Sequence, residues 1–142
     1  MDAFFRCIQG CKTYPLNQVV YQCESCGNLL EVVHNEEALK KATASKWKDL
    51  FEKRTSLSQF PDNSGVWAKR EWVNPLMDPK YIVSLGEGYN PLTPLQEIAK
   101  KLNLKNLWIK HCGNTHTGSF KDLGMTVLVS MVNQMIFKEK KP

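Results

Sequence analysis

Between residues 107 and 136 the hydrophobic period of the chain changes. A strand-like run, Leu107-Trp108-Ile109, gives way to a glycine turn, and from Phe120 the apolar positions Leu123, Val127, Leu128, Met131, Val132, Met135 and Ile136 recur at helical spacing. A strand that feeds a helix through a tight turn points to an α/β fold. The turn itself reads Thr117-Gly118-Ser119-Phe120-Lys121-Asp122. Ser119 is placed to cap the helix, with Asp122 completing an S/T-x-x-D pattern, so Lys121 is expected about two residues inside the positive end. The helix macrodipole disfavours an ammonium there, and burial would push the same way. A neutral lysine amine is what Schiff-base chemistry needs. Ordinary capping beside a solvated lysine is the alternative that spacing alone leaves open.

The residues around Lys121 carry more information than their spacing. Residues 110–130, KHCGNTHTGSFKDLGMTVLVS, closely resemble threonine synthase of the type found in plants and some bacteria. Residues 64–73, SGVWAKREWV, are similar to the segment preceding the catalytic domain in that family. Residues 85–92, LGEGYNPL, are similar to its GEG-x-TPL motif, with Asn90 where threonine is usual. The resemblance extends from about Val20 to Ile136. It implies a pyridoxal-phosphate enzyme of fold type II in which Lys121 holds the cofactor covalently and moves protons between substrate carbons. The implied substrate is O-phosphohomoserine, the products L-threonine and phosphate, and the full-length enzyme a homodimer. Thr115-His116 stands where many related enzymes of this fold have Asn-Pro, which suits the plant-like branch and counts against serine or threonine dehydratases. Plant members are activated by S-adenosylmethionine, a site that the resemblance places on no particular residue here.

The family's catalytic domain is much longer than 142 residues, and one helix follows Lys121. A parallel sheet needs several strands covered on both faces, whereas the strand signals available for one are confined to residues 106–110 and, more weakly, 81–84. The chain therefore reads as the N-terminal part of a larger enzyme: a module over 1–34, a helical segment and linker over 35–80, and the start of a catalytic domain over 81–142. The phosphate-binding loop that the cofactor needs lies downstream of the lysine in the family, so the chain alone is expected to be inactive.

A second constellation occupies the first of these regions. Cys7-x-x-x-Cys11 is followed after eleven residues by Cys23-x-x-Cys26-Gly27. Two close-set cysteine pairs suit a tetrahedral thiolate site, and a glycine after the last cysteine lets backbone N–H groups approach the sulfurs. The spacing points to structural zinc in a small zinc-ribbon-like module, with iron, unligated thiols or disulfides as alternatives. With four protein ligands no position is left for a substrate. Strands are expected over residues 18–21 and 29–33.

The remaining features read as support. Asn35 is placed to cap a helix running to about Arg54, with Leu39, Ala42, Trp47, Leu50 and Phe51 as its apolar stripe. Residues 55–66 read as a linker. Thr93-Pro94-Leu95-Gln96 reads as a capping box with proline at the first helical position, followed by Ile98, Ala99 and Leu102. Trp67, Trp72 and Tyr81 are assigned to packing, and Cys112 to a buried small apolar role rather than a nucleophile. His111 and His116 flank the lysine loop and are assigned to hydrogen bonding within it.

The net charge of +5 forms no organised footprint. Lys40, Lys41, Lys46 and Lys48 share one mixed-charge helix, while Lys138, Lys140 and Lys141 cluster at the end, so nucleic acid is not expected as a partner. No apolar run approaches the roughly 20 residues of a membrane helix. Nothing near Met1 resembles a signal or transit peptide, and a cytoplasmic setting is expected. Two other classes of function stay open: a stand-alone zinc-ribbon binding module, and a non-catalytic partner of a separately encoded catalytic domain.

Overall fold

The first strand, β1 (Ala3–Cys7), ends on a cysteine, and the turn after it reverses the chain at once. Gly10 takes φ +72° in that turn, and β2 (Thr13–Pro15) returns antiparallel to β1. On the other side of β1 lies β3 (Leu30–His34), also antiparallel, giving the order β2-β1-β3. This computed structural model describes residues 2–57 and 59–139. The expected strand over residues 18–21 is absent, and that segment is irregular. The ribbon takes its central strand instead from the residues before Cys7, because the two cysteine turns bring β1 and β3 together. The other expected strand is found over Leu30–His34.

Two helices follow where one was expected. Asn35 caps α1 (Glu36–Lys40) by accepting from Ala38 N, and Thr43 caps α2 (Ala44–Thr55) by accepting from Lys46 N. Thr43 is extended, at φ −69° and ψ 160°, and breaks the run. The Trp47 indole then donates to Leu39 O at 3.2 Å, closing the corner between the two helices. Trp47 is buried, and its ring meets those of Phe51 and Trp72, each centroid 5.7 Å away.

Residues 59–66 are irregular but well anchored, which corrects the linker reading there. Ser64 is fully buried: its hydroxyl donates to Glu87 O and accepts from Val66 N and Trp67 N. A short 3-10 turn (Trp67–Lys69) runs into α3 (Arg70–Val73). Arg54, 8% exposed, reaches across from α2 to Glu71 through two bonds of 2.6 and 2.7 Å and also donates to Ala68 O. Burial opposes ionisation of Glu71, but the Arg54 guanidinium outweighs it and holds the carboxyl below its ordinary value.

The core of the larger region forms around Trp67, 0% exposed, with Met77, Tyr81 and Ile82. Val127 and Met131 cover it from α5 (Asp122–Glu139). Between the core and α5 runs the segment expected as a strand over residues 81–84. It is no strand, because the side chains of α5 satisfy its backbone. Val83 N donates to Ser130 Oγ at 2.8 Å, Val83 O accepts from Thr126 Oγ1 at 2.7 Å, and Tyr81 O accepts from Asn133 at 3.0 Å.

β4 (Leu92–Pro94) pairs antiparallel with β5 (Trp108–Lys110), and α4 (Gln96–Lys101) connects them. The expected capping box is not formed: Leu95 stands at the N-cap with no side-chain bond, because Thr93 lies within β4 opposite Ile109. The class is therefore mixed helix and sheet, and every strand pairing among the described residues is antiparallel. The expected parallel sheet is not formed within them. No helix among them is long and apolar enough to cross a membrane.

Candidate functional site

Two sites can be built from the residues upward. The first is the lysine loop. After β5 the chain turns through His111, whose N–H bonds Pro91 O and whose Nε2 lies 2.9 Å from Thr93 Oγ1. Cys112 is half-buried here. Thr115 Oγ1 donates to Ser119 O, and Gly118, at φ +75°, supplies the left-handed turn. The helix begins at Asp122, so Lys121 stands immediately before it rather than two residues inside. The expected cap is rearranged accordingly. Ser119 Oγ accepts from Lys121 N at 3.3 Å, while the Asp122 carboxylate reaches back to Thr117, taking its N–H at 3.0 Å and its hydroxyl at 2.8 Å. The hydroxyls of Thr115 and Thr117 and the Thr117 N–H hold Asp122 below its ordinary carboxylate value.

Lys121 is exposed in this structure, so the burial expected from its position is not present. Phe120 beside it is 66% exposed. The same holds for the outer side of α5, where Leu128 is 52% and Val132 46% exposed. Such a helix buries a polar face inward through Thr126, Ser130 and Gln134 and leaves an apolar face uncovered.

A cavity of about 210 Å³ opens between α5 and residues 83–87, lined by Val83, Leu85, Glu87, His116, Asp122 and Met125 among others. His116 Nε2 bonds Leu85 O, and because a carbonyl only accepts, this nitrogen carries the proton. Leu85 N in turn donates to Glu87. Glu87 is 9% exposed; burial opposes its ionisation, yet the Ser84 hydroxyl and the Leu85 N–H more than compensate and hold it low. Gly65 and Gly88 meet here backbone to backbone: a Cβ on Gly88 would lie 2.7 Å from Gly65 Cα, and φ at Gly88 is +100°. Sequence reasoning did not single out Glu87, Thr126 or Ser130. The polar positions Thr126, Ser130, Asn133 and Gln134, spaced four, three and one apart in an apolar helix, were the available signal.

The second site gathers all four cysteines of the ribbon. Cys7, Cys11, Cys23 and Cys26 place their Sγ atoms within 4.8 Å of one another. Cys26 Sγ lies 3.5 Å from Cys7 Sγ and 3.4 Å from Cys11 Sγ. Four sulfurs at about 2.3 Å from a central Zn²⁺ would stand about 3.8 Å apart, so the set fits a tetrahedral thiolate metal site. Polar groups close the shell: Gln9 N approaches Cys7 Sγ at 3.4 Å, Asn28 Nδ2 approaches Cys26 Sγ at 3.4 Å, and the Tyr14 hydroxyl approaches Cys23 Sγ at 3.7 Å. Protons are shared unevenly among the thiols. Hydrogen bonding to Cys26 and Cys7 pushes Cys11 up to about 12. For Cys23, burial opposes ionisation, but the Ser25 N–H, the Tyr14 hydroxyl and Cys26 bring it down to about 6.

No family model matches the chain. Curated proteins do match it. Threonine synthase 2, chloroplastic, of Arabidopsis thaliana is 46% identical over 87% of this chain and 24% of its own length. The threonine synthase of Methanocaldococcus jannaschii is 38% identical over 92% of this chain and 29% of its own. That of Methanosarcina acetivorans is 31% identical over 88% and 27%. The relatives are thus all of one class, lyases of amino-acid biosynthesis. The chain belongs with the threonine synthases, as their N-terminal portion. It spans about a quarter of the length of these relatives.

Proposed function

We propose that this chain is the part of a threonine synthase that supplies the covalent anchor for pyridoxal phosphate, Lys121, in the conversion of O-phosphohomoserine and water to L-threonine and phosphate. The observation that carries the reading is the placement of Lys121. It leaves a glycine turn fixed by the Thr117–Asp122 bonds and lies open to solvent beside the uncovered face of α5. The residues fit the group: an exposed amine at a helix start is free to reach a cofactor carbonyl, and α5 has apolar surface for a covering domain. When bound, pyridoxal phosphate supplies the electron sink. Lys121 supplies the amine that holds it and then carries protons between substrate carbons, while His116 and Asp122 keep the loop in register.

Under the same proposal the cysteine ribbon holds a structural Zn²⁺ through Cys7, Cys11, Cys23 and Cys26. The support is the sulfur geometry, with no position left for substrate. Cysteines that bind metal rather than one another suit a reducing cytoplasmic setting, and the complete enzyme is read as a homodimer. The 142-residue chain alone forms no threonine.

The test replaces the corresponding segment of the Methanocaldococcus jannaschii enzyme with this chain. The hybrid is expected to bind pyridoxal phosphate and form threonine, and its Lys121→Ala variant to lose at least 1,000-fold in rate, about 4 kcal/mol of barrier. A folded hybrid indifferent to Lys121→Ala contradicts the proposal.

A further inference from the structure

The four ribbon sulfurs are not equivalent. Cys7 and Cys23 are each 1% exposed, whereas Cys11 and Cys26 are exposed. The two exposed sulfurs come from different knuckles and lie 3.4 Å apart. We propose that the ribbon is a peroxide-sensitive metal site in which oxidation joins Cys11 to Cys26 and expels the metal.

Solvent access selects the pair. Hydrogen peroxide approaching from water meets Cys11 and Cys26 first, while the protein covers the sulfurs of Cys7 and Cys23. One exposed thiolate attacks the peroxide oxygen: the S–O bond forms, the O–O bond breaks, and the departing hydroxide takes a proton to leave as water. The second exposed thiolate attacks the resulting sulfenic sulfur, forming the S–S bond and expelling a second hydroxide, which is likewise protonated. In sum, two thiolates, one hydrogen peroxide and two protons give one disulfide and two waters. The sulfurs lose two electrons and the peroxide gains them. Two of the four donors are then spent, and the remaining pair no longer holds the cation against solvent.

The consequence reaches beyond the ribbon. Leu16, just after β2, is 5% exposed, and with Asn17 it shares a cavity wall with Met131, Gln134 and Met135 of α5. That helix begins at Asp122, the residue after Lys121. Loss of the metal therefore loosens a module seated against the helix that presents the lysine. This regulation extends the zinc assignment above but is read out separately from it.

The experiment treats the purified 142-residue chain with hydrogen peroxide, follows metal release with a zinc-sensitive dye, and maps disulfides by mass spectrometry after alkylation under denaturing conditions. The expected result is loss of two of the five thiols, a Cys11–Cys26 crosslink, alkylated Cys7 and Cys23, release of one zinc per chain, and reversal by dithiothreitol. A crosslink within a knuckle, Cys7–Cys11 or Cys23–Cys26, overturns the proposal, as does a random mixture of pairs. So does a zinc-loaded ribbon that keeps its metal and all its thiols under peroxide concentrations that oxidise free cysteine. If the protein is isolated without zinc and still forms the Cys11–Cys26 crosslink, the zinc assignment fails while the oxidation pathway stands.

Discussion

The indole N–H of Trp67 donates to Thr126 Oγ1 at 2.9 Å, and the same hydroxyl passes its own proton to Val83 O at 2.7 Å. One buried threonine thus joins the central tryptophan, the extended segment 81–84 and the helix that follows Lys121. A Thr126→Val substitution keeps the volume but leaves the indole unsatisfied and the Val83 carbonyl with only its longer contact to Ser130 Oγ, at 3.3 Å. The expected loss is about 2–4 kcal/mol, read as a lower urea midpoint at unchanged slope.

Gly65 and Gly88 lie too close for any side chain between them. Gly88→Ala combines a clash with an unfavourable positive φ and is expected to cost about 3 kcal/mol or more. Gly124→Ala, whose added Cβ meets nothing within 4 Å, is the control and is expected to leave stability unchanged or slightly raised. Thermal melting of both variants checks the contrast.

Acid should unfold the chain through Glu71 and Glu87. Both are held below their ordinary values in the folded protein and return to about 4.3 when it unfolds. The unfolded state therefore binds more protons in the window between. The stabilisation is fully present above the unfolded value and is lost as pH falls through the lowered folded values. A pH series of urea midpoints is expected to drop below about pH 4.5. Glu71→Gln should flatten that drop and cost about 2 kcal/mol at neutral pH, less than for a fully buried pair because Glu71 is partly exposed.

Substitution of His116 separates loop geometry from charge. Gln retains an N–H donor for Leu85 O, whereas Ala does not. His116→Ala is expected to speed hydrogen exchange at Thr117, Gly118 and Ser119 at least several-fold, and His116→Gln to restore most of the protection. Equal exchange in both variants would remove His116 from its positioning role.

The cysteine cluster and the Lys121 turn were legible because close spacing limits where side chains can go. Four thiols in two short turns have few ways to avoid one another, and a glycine before a helix places the next residues tightly. The strands were harder. β1 is five residues long and ends on the first cysteine, and β2 is three residues long, so neither carries a readable period. Thr93 and Thr43 show why helix starts were misplaced: Thr93 reads as a cap but is absorbed by pairing with Ile109, while Thr43 caps a second helix that periodicity joined to the first. The inward polar face of α5 was written in the sequence at Thr126, Ser130, Asn133 and Gln134. Its meaning depends on an extended segment more than forty residues away that periodicity does not connect to it. The exposure of Lys121 has the same origin, since the environment of a side chain follows from neighbours remote in sequence.

The most direct test of the central claim is the position of the cofactor linkage. The hybrid enzyme would be loaded with pyridoxal phosphate, reduced with borohydride and digested, and its labelled peptide sequenced. The predicted result is one pyridoxyl group per chain on Lys121. A single label at another lysine, or none in a folded hybrid that binds the cofactor, would contradict the account.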